Sequence, residues 1–197
     1  ASLQLPACGT VVVNAGQMGY YRTLYAPKVF AQLKNHFTDI ATIDQVGILS
    51  DSWAMGLAGQ QPVADYLDLA KATSSNASPH VWDHIANVFS TMNNYLKDDP
   101  TRQKMFQEFA FKRLSPLMQE LGWQAKENEA EHVANTRAAM ITVLGSMGES
   151  SVLAEARRRF AVMDSDPNAA PAALRLLILA IVAENADSTT WDKLYAK

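Results

Sequence analysis

The chain has 197 residues, of which 48% are hydrophobic and 19% charged, so it is long enough to bury a real core and reads as an ordinary folded protein. Its net charge of −3 excludes a broad electrostatic grip on nucleic acid. The lone cysteine, Cys8, excludes an internal disulfide or a multi-cysteine metal site, and the most apolar stretch, Ala169 to Ala183, is interrupted by Arg175 and too short to span a bilayer.

The N-terminus carries no basic segment followed by an apolar one, so no leader is expected in this stretch. Val11 to Asn14 is a β-branched run, and Gly19 to Tyr25 is rich in aromatic and β-favouring residues. Asn14, Gly16 and Gly19 lie between them and tolerate positive φ, which predicts a β-hairpin over residues 11–25. An isolated hairpin is marginal in water, so these strands are expected to finish a sheet whose other strands lie elsewhere, in a chain cut from something larger.

After Tyr25 the period changes from two to about 3.6. Pro27 suits a first helical turn and precedes the stripe Val29, Phe30, Leu33 and Phe37. Thr42 and Gln45 have capping-box spacing and open a helix through Val46, Leu49, Trp53 and Leu57 that Gly59 can end. A shorter helix is predicted over Pro62 to Ala72, then a polar loop to Ala77. Ser78-Pro79 and Asp99-Pro100 each start a helix; the second runs toward Gly122, with Pro116 expected to kink it. Further helices are expected over 128–147, 150–163 and 170–184, and Trp191 to Tyr195 opens another. Short connections between these helices argue for a mainly α fold. It would be an irregular HEAT- or armadillo-like stack of antiparallel helix pairs, preceded by the short N-terminal hairpin.

Few residues suggest chemistry. His80 and His84 stand at i and i+4 on one helix face, the spacing of zinc-binding helices. Val81, however, occupies the place where a metalloprotease helix needs its general base, so surface or interhelical histidines are the expectation. Cys8 has no partner nearby in sequence for nucleophilic work. Gly16 to Gly19 and Gly145 to Gly148 read as turns. The acidic run Glu127 to Glu131 fits the positive end of a helix dipole. Arg157 to Arg159 reads as a solvated face with one buried stem, and Phe106 and Phe109 as core.

The series N-x-G-x-x-G-Y-Y-R-x-x-Y at Asn14 to Tyr25 resembles the end of the small β-sandwich domain of M1-family zinc aminopeptidases, of the aminopeptidase N type. The likeness continues in that family's order. Thr42 to Gly59 resembles its first long helix, with Asp44, Asp51 and Gly59 fitting and Gln45 standing where Arg is usual. Tyr66, Leu67 and Trp82 follow. Leu121-Gly122-Trp123, Ala156 with Phe160, Pro171 to Arg175, and Trp191 to Leu194 complete the series. The resemblance implies two parts: residues 1–25 as the end of a β-sandwich domain, and residues 26–197 as the first part of a C-terminal helical domain truncated at its C-terminus.

It further implies a parent that removes N-terminal residues from peptides with one zinc. Gln103 stands where the family's third zinc ligand would follow His84, and Gly16 to Gly19 lacks the Glu of the family's amine-binding loop. This stretch is therefore expected to supply no catalytic, cofactor-binding or metal-binding residue and to be inactive alone. Its role would be to cap the active site and restrict substrate access. Implied partners are the catalytic domain of the same chain and, for the parent, peptide substrates, with no nucleic acid and no membrane segment here. The alternative is a free-standing helical-repeat scaffold for protein interaction.

Overall fold

The computed structural model describes residues 9–166 and 168–195. Among these residues it forms nine α-helices and no β-strand. The chain divides into two compact units, Ala1–Ile85 and Ala86–Lys197.

In the first unit, α1 (Pro27–Asn35) opens on a proline and buries Phe30 and Leu33. A 3-10 turn, Phe37–Asp39, carries the buried Phe37 and so takes the last residue of the predicted stripe out of α1. The next helix, α2 (Thr42–Leu57), starts at its expected cap residue, one position earlier than the spacing predicts. Ala41 is the cap residue, without a side-chain bond, and Thr42 is already helical. Gln45, 6% exposed, donates from Nε2 to the carbonyls of Phe37 (2.9 Å) and Ile40 (3.0 Å). The physical reason is local demand. The Phe37 carbonyl takes a long 3.3 Å bond from Ile40 N–H within the turn and has room for a second donor, and a buried amide must spend its hydrogens on such acceptors.

The C-terminus of α2 follows its sequence signal. Gly59 takes φ 68°, Gln60 N–H bonds to Met55 O (2.9 Å) and Gly59 N–H to Gly56 O (3.1 Å), a Schellman ending. Tyr66, Leu69 and Ala70 of α3 (Val63–Ala72) are wholly buried. Tyr66 meets Trp53 of α2 at 5.7 Å between ring centroids. Helix α4 (Pro79–Tyr95) gives this unit Val81, Trp82, His84 and Ile85.

Phe89, from the second half of α4, seeds the core of the second unit. It packs edge-on against Phe106 at 5.4 Å and lies 5.7 Å from Phe109, both on α5 (Pro100–Leu121). Asp99 Oδ1 caps α5 by accepting from Arg102 N–H at 3.1 Å, and the helix continues through Pro116 to a Gly122 cap at φ 65°. Helix α6 is Glu131–Ser146, a few residues shorter at its start than expected, because Asn128 takes φ 57°.

Only Glu131 of the acidic run occupies the first turn of α6. Glu129 instead faces Arg137, which is 2% exposed and donates from Nη1 to Glu129 Oε2 (2.6 Å) and from Nη2 to Oε1. Arg137 Nε also reaches Gly122 O at 3.0 Å, so one guanidinium closes the α5–α6 connection. The Arg137 hydrogen bonds hold the Glu129 carboxyl below its usual range.

Between α6 and α7 (Ser150–Val162), Glu149 serves both helices. Its N–H bonds to Leu144 O (2.9 Å), beyond Gly148 at φ 75°, and its carboxylate accepts from Val152 N–H (2.8 Å). One of the three consecutive arginines is buried, as expected. Arg159 lies 5.0 Å over the Trp123 ring and donates to Ala169 O (2.8 Å) and Glu155 (2.8 Å). Leu174, Ile178, Ile181 and Val182 of α8 (Ala172–Glu184) are buried, and α9 (Ser188–Tyr195) starts at Asp187, whose Oδ1 accepts from Thr190 N–H at 2.7 Å.

The predicted hairpin is absent among the described residues. Ala15–Gln17 forms a 3-10 turn, and residues 22–26 run without regular structure. A sheet needs a neighbouring strand, and none is offered. The β-favouring residues settle on α2 by side-chain bonds instead.

Candidate functional site

The most organised polar surface of the first unit is this attachment to α2. Asp44 and Asp51 lie two turns apart on one helix face and are only 7% and 8% exposed. Each spends its charge on backbone: Asp44 Oδ1 accepts from Gly16 N–H (2.7 Å), and Asp51 Oδ2 from Thr23 N–H (2.9 Å). Arg22 Nη1 reaches Ser50 Oγ (2.8 Å) and Asp51 Oδ1 (3.1 Å). Asn14, at φ 62°, closes its own turn by accepting from Gly19 N–H (2.6 Å) and donating to Gly19 O (2.9 Å).

Val13 N–H donates to the Tyr25 hydroxyl at 3.0 Å, and burial pushes that phenol's pKa up. Gln17 lays its amide against Gly47, where an added Cβ would oblige that flexible side chain to move. A cleft of about 480 Å³ remains, lined by Gln17, Tyr20, Tyr21, Arg22, Val46 and Ser50 among others. The arrangement fixes a backbone and holds no nucleophile–base pair, since Ser50 Oγ accepts from Arg22 rather than facing a base.

The two histidines of α4 part ways. His80 is exposed in the first turn, whereas the His84 ring lies 6.2 Å from that of Tyr66, with Nε2 buried and without a hydrogen-bond partner. Burial and the nearby Arg22 charge lower the His84 pKa, while burial raises that of Tyr66. These residues do not fit a zinc site. His84 is committed to an aromatic pocket, and among the described residues no group of three His, Cys, Asp or Glu side chains could hold a metal ion. Cys8 lies outside the described residues. Gly16 to Gly19 is a turn, Gly145 and Ser146 are instead the last residues of α6 with Met147 and Gly148 turning out of it, and no described helix is long and apolar enough to cross a membrane.

Sequence spacing placed Asp44 and Asp51 in a family pattern without revealing their partners. Two acids at i and i+7 beside buried Ile48 and Leu49 were the available signal, because a carboxylate on an apolar face must find donors.

Fold and site together define an all-helical domain bound to a preceding segment through buried carboxylates. The chain belongs to the ERAP1-like C-terminal domain family, whose model matches residues 10–197. This agrees with the resemblance to the helical domain of M1 aminopeptidases. It is 27% identical over 183 residues to "Aminopeptidase M1-D" of Oryza sativa subsp. japonica, covering 91% of this chain and 21% of that protein. It is 29% identical over 167 residues to "Aminopeptidase M1" of Arabidopsis thaliana, covering 82% and 19%, and 25% identical over 203 residues to "Glutamyl aminopeptidase" of Bitis rhinoceros, covering 98% and 20%. The chain thus spans about a fifth of the length of these curated relatives.

Proposed function

We propose that this chain is a non-catalytic part of a zinc aminopeptidase that removes N-terminal residues from peptides. It caps the catalytic domain and restricts which substrates enter. The family match over residues 10–197 carries this reading, and the names of the relatives supply the activity. In the parent, one zinc and its ligands, the general base and the amine-binding loop come from outside these residues, and no residue here acts in catalysis or metal binding.

Two finer assignments belong to the same reading. Residues 11–25 pair with strands of a neighbouring β-sandwich, which gives their β-favouring side chains the partner they lack here. The helices from α1 onward form a HEAT-like stack that further helices extend. The outer side of α8 supports this: Leu176 is 78% exposed on a helix that is apolar apart from Arg175 and Glu184.

The test compares the isolated chain, the whole enzyme and an enzyme lacking this domain. The isolated chain is expected to bind no stoichiometric zinc and to hydrolyse no amino-acid anilide. Removing the domain should reduce the whole enzyme's discrimination between single-residue anilides and long peptides. Hydrolysis by the pure chain, or unchanged size discrimination in an active truncated enzyme, would overturn the reading.

A further inference from the structure

Val11, Val12 and Val13 are three β-branched residues in succession, yet they belong to no strand. One side chain occupies both peptide groups of the last of them. Val13 N–H donates to the Tyr25 hydroxyl at 3.0 Å, and that hydroxyl donates to Val13 O at 3.4 Å. In a hydrogen-bonded pair of an antiparallel ladder, a residue exchanges these same two groups with the residue opposite. A hydroxyl is donor and acceptor in one atom, so Tyr25 plays both parts of an absent strand residue.

The position of Tyr25 is set by its neighbours in the chain. It directly precedes Ala26, the cap of α1, and Thr23 N–H is bonded to Asp51 of α2. Its ring lines a cleft of about 540 Å³ with Leu24, Pro27, Phe30 and Pro62 among others. The two bonds to Val13 are open to water and the second is long, so a strand offering a full ladder can displace them. Val13 is 41% exposed, within reach of such a strand.

We propose that the backbone edge at Val13 docks an edge strand of a neighbouring β-sheet, and that the Tyr25 hydroxyl guards this edge until that strand takes it. The inference rests on the reading that residues 11–25 pair with a neighbouring sheet, and it names the side chain that controls the pairing. A bare edge of three valines is a template for any strand, a second copy of the chain included. Tyr25 removes one donor and one acceptor from that template. A ladder of several bonds outweighs the loss, whereas a chance encounter does not.

The 197-residue chain tests the guard, with Leu176→Glu in every version so that association through α8 does not mask the edge. In Tyr25→Phe the Val13 amide of the monomer should exchange its hydrogen on the order of fivefold faster, the factor of one modest hydrogen bond. The same variant should dimerise more tightly, by on the order of fivefold for each hydroxyl removed, in a sedimentation concentration series. Val13→Pro added to Tyr25→Phe deletes the freed donor and should return association to the starting level or below it. An unchanged Val13 amide, unchanged dimerisation, or dimerisation that persists with the proline would overturn the guard. None of these readouts involves peptide hydrolysis or size discrimination, so failure of the guard and failure of the capping role are told apart.

Discussion

At Asp51 two donors converge, the Arg22 guanidinium and the Thr23 amide. The Arg22 side chain is 52% exposed, so its ion pair is screened and contributes at most about 1 kcal/mol. The amide bond to a buried carboxylate weighs more, at roughly 1.5–3 kcal/mol, because its loss strands a charge. Arg22→Ala should therefore lower stability by less than about 1 kcal/mol and Asp51→Ala by about 2 kcal/mol in urea titrations. Glu129 gives a pH signature of its own. With its carboxyl held low by Arg137, its contribution is complete above about pH 4.3 and is lost as pH falls through the depressed value. Glu129→Gln should flatten the acid limb of a stability–pH curve at those values and leave the neutral region's slope unchanged. These pairings were not legible in the sequence. Glu129 read as a helix-dipole residue and Gln45 as half of a capping box, because local spacing reports only partners three or four residues away. Arg137 reaches back eight residues to Glu129, and Gln45 eight to Phe37.

Helices, by contrast, were legible nearly to their ends. Pro27, Pro79 and Pro100 stand at helix starts, and Gly59, Gly122 and Gly148 follow helix ends, all with positive φ. Such punctuation is chemical: proline forgoes a donor that the first turn cannot use, and glycine enters the left-handed region without a Cβ clash. Gly148→Ala should therefore cost about 1–2 kcal/mol, read as a drop in thermal midpoint, although a Cβ there would meet nothing nearer than Asn185 Oδ1 at 3.8 Å. That no strand forms over residues 11–25 among the described residues has the same physical reason as the legibility of the helices. A helix closes its bonds within itself, so its sequence is sufficient, whereas a strand's bonds belong to a neighbour. Pro116 lies inside α5, which continues through it to Leu121 as the sequence spacing indicated. The buried contacts of Leu114 and Met118 on either side supply a packing reward that local propensity does not count.

Across the molecule, apolar surface left uncovered points to further contacts. A cleft of about 530 Å³ lies against α8, lined by Met163, Leu179, Ala180, Ala183 and Leu194, with Arg175 at its edge. At high concentration the 197-residue chain should self-associate through this side of α8, and Leu176→Glu should weaken that association in a light-scattering concentration series. Equal association of the variant would place the contact elsewhere. The family was readable from an ordered series of weak motifs, because each marks a helix end or a buried contact and together they fix the order of elements. The clamp on α2 carries one more consequence, for biosynthesis. Residues 13–25 leave the ribosome before Asp44 and Asp51, yet those two carboxylates are what order them. At roughly 5–20 residues per second, the segment waits on the order of seconds as unstructured chain until α2 arrives. What is made first here settles last, and during that interval its exposed Met18, Tyr20 and Tyr21 are open to any chaperone or strand that reaches them.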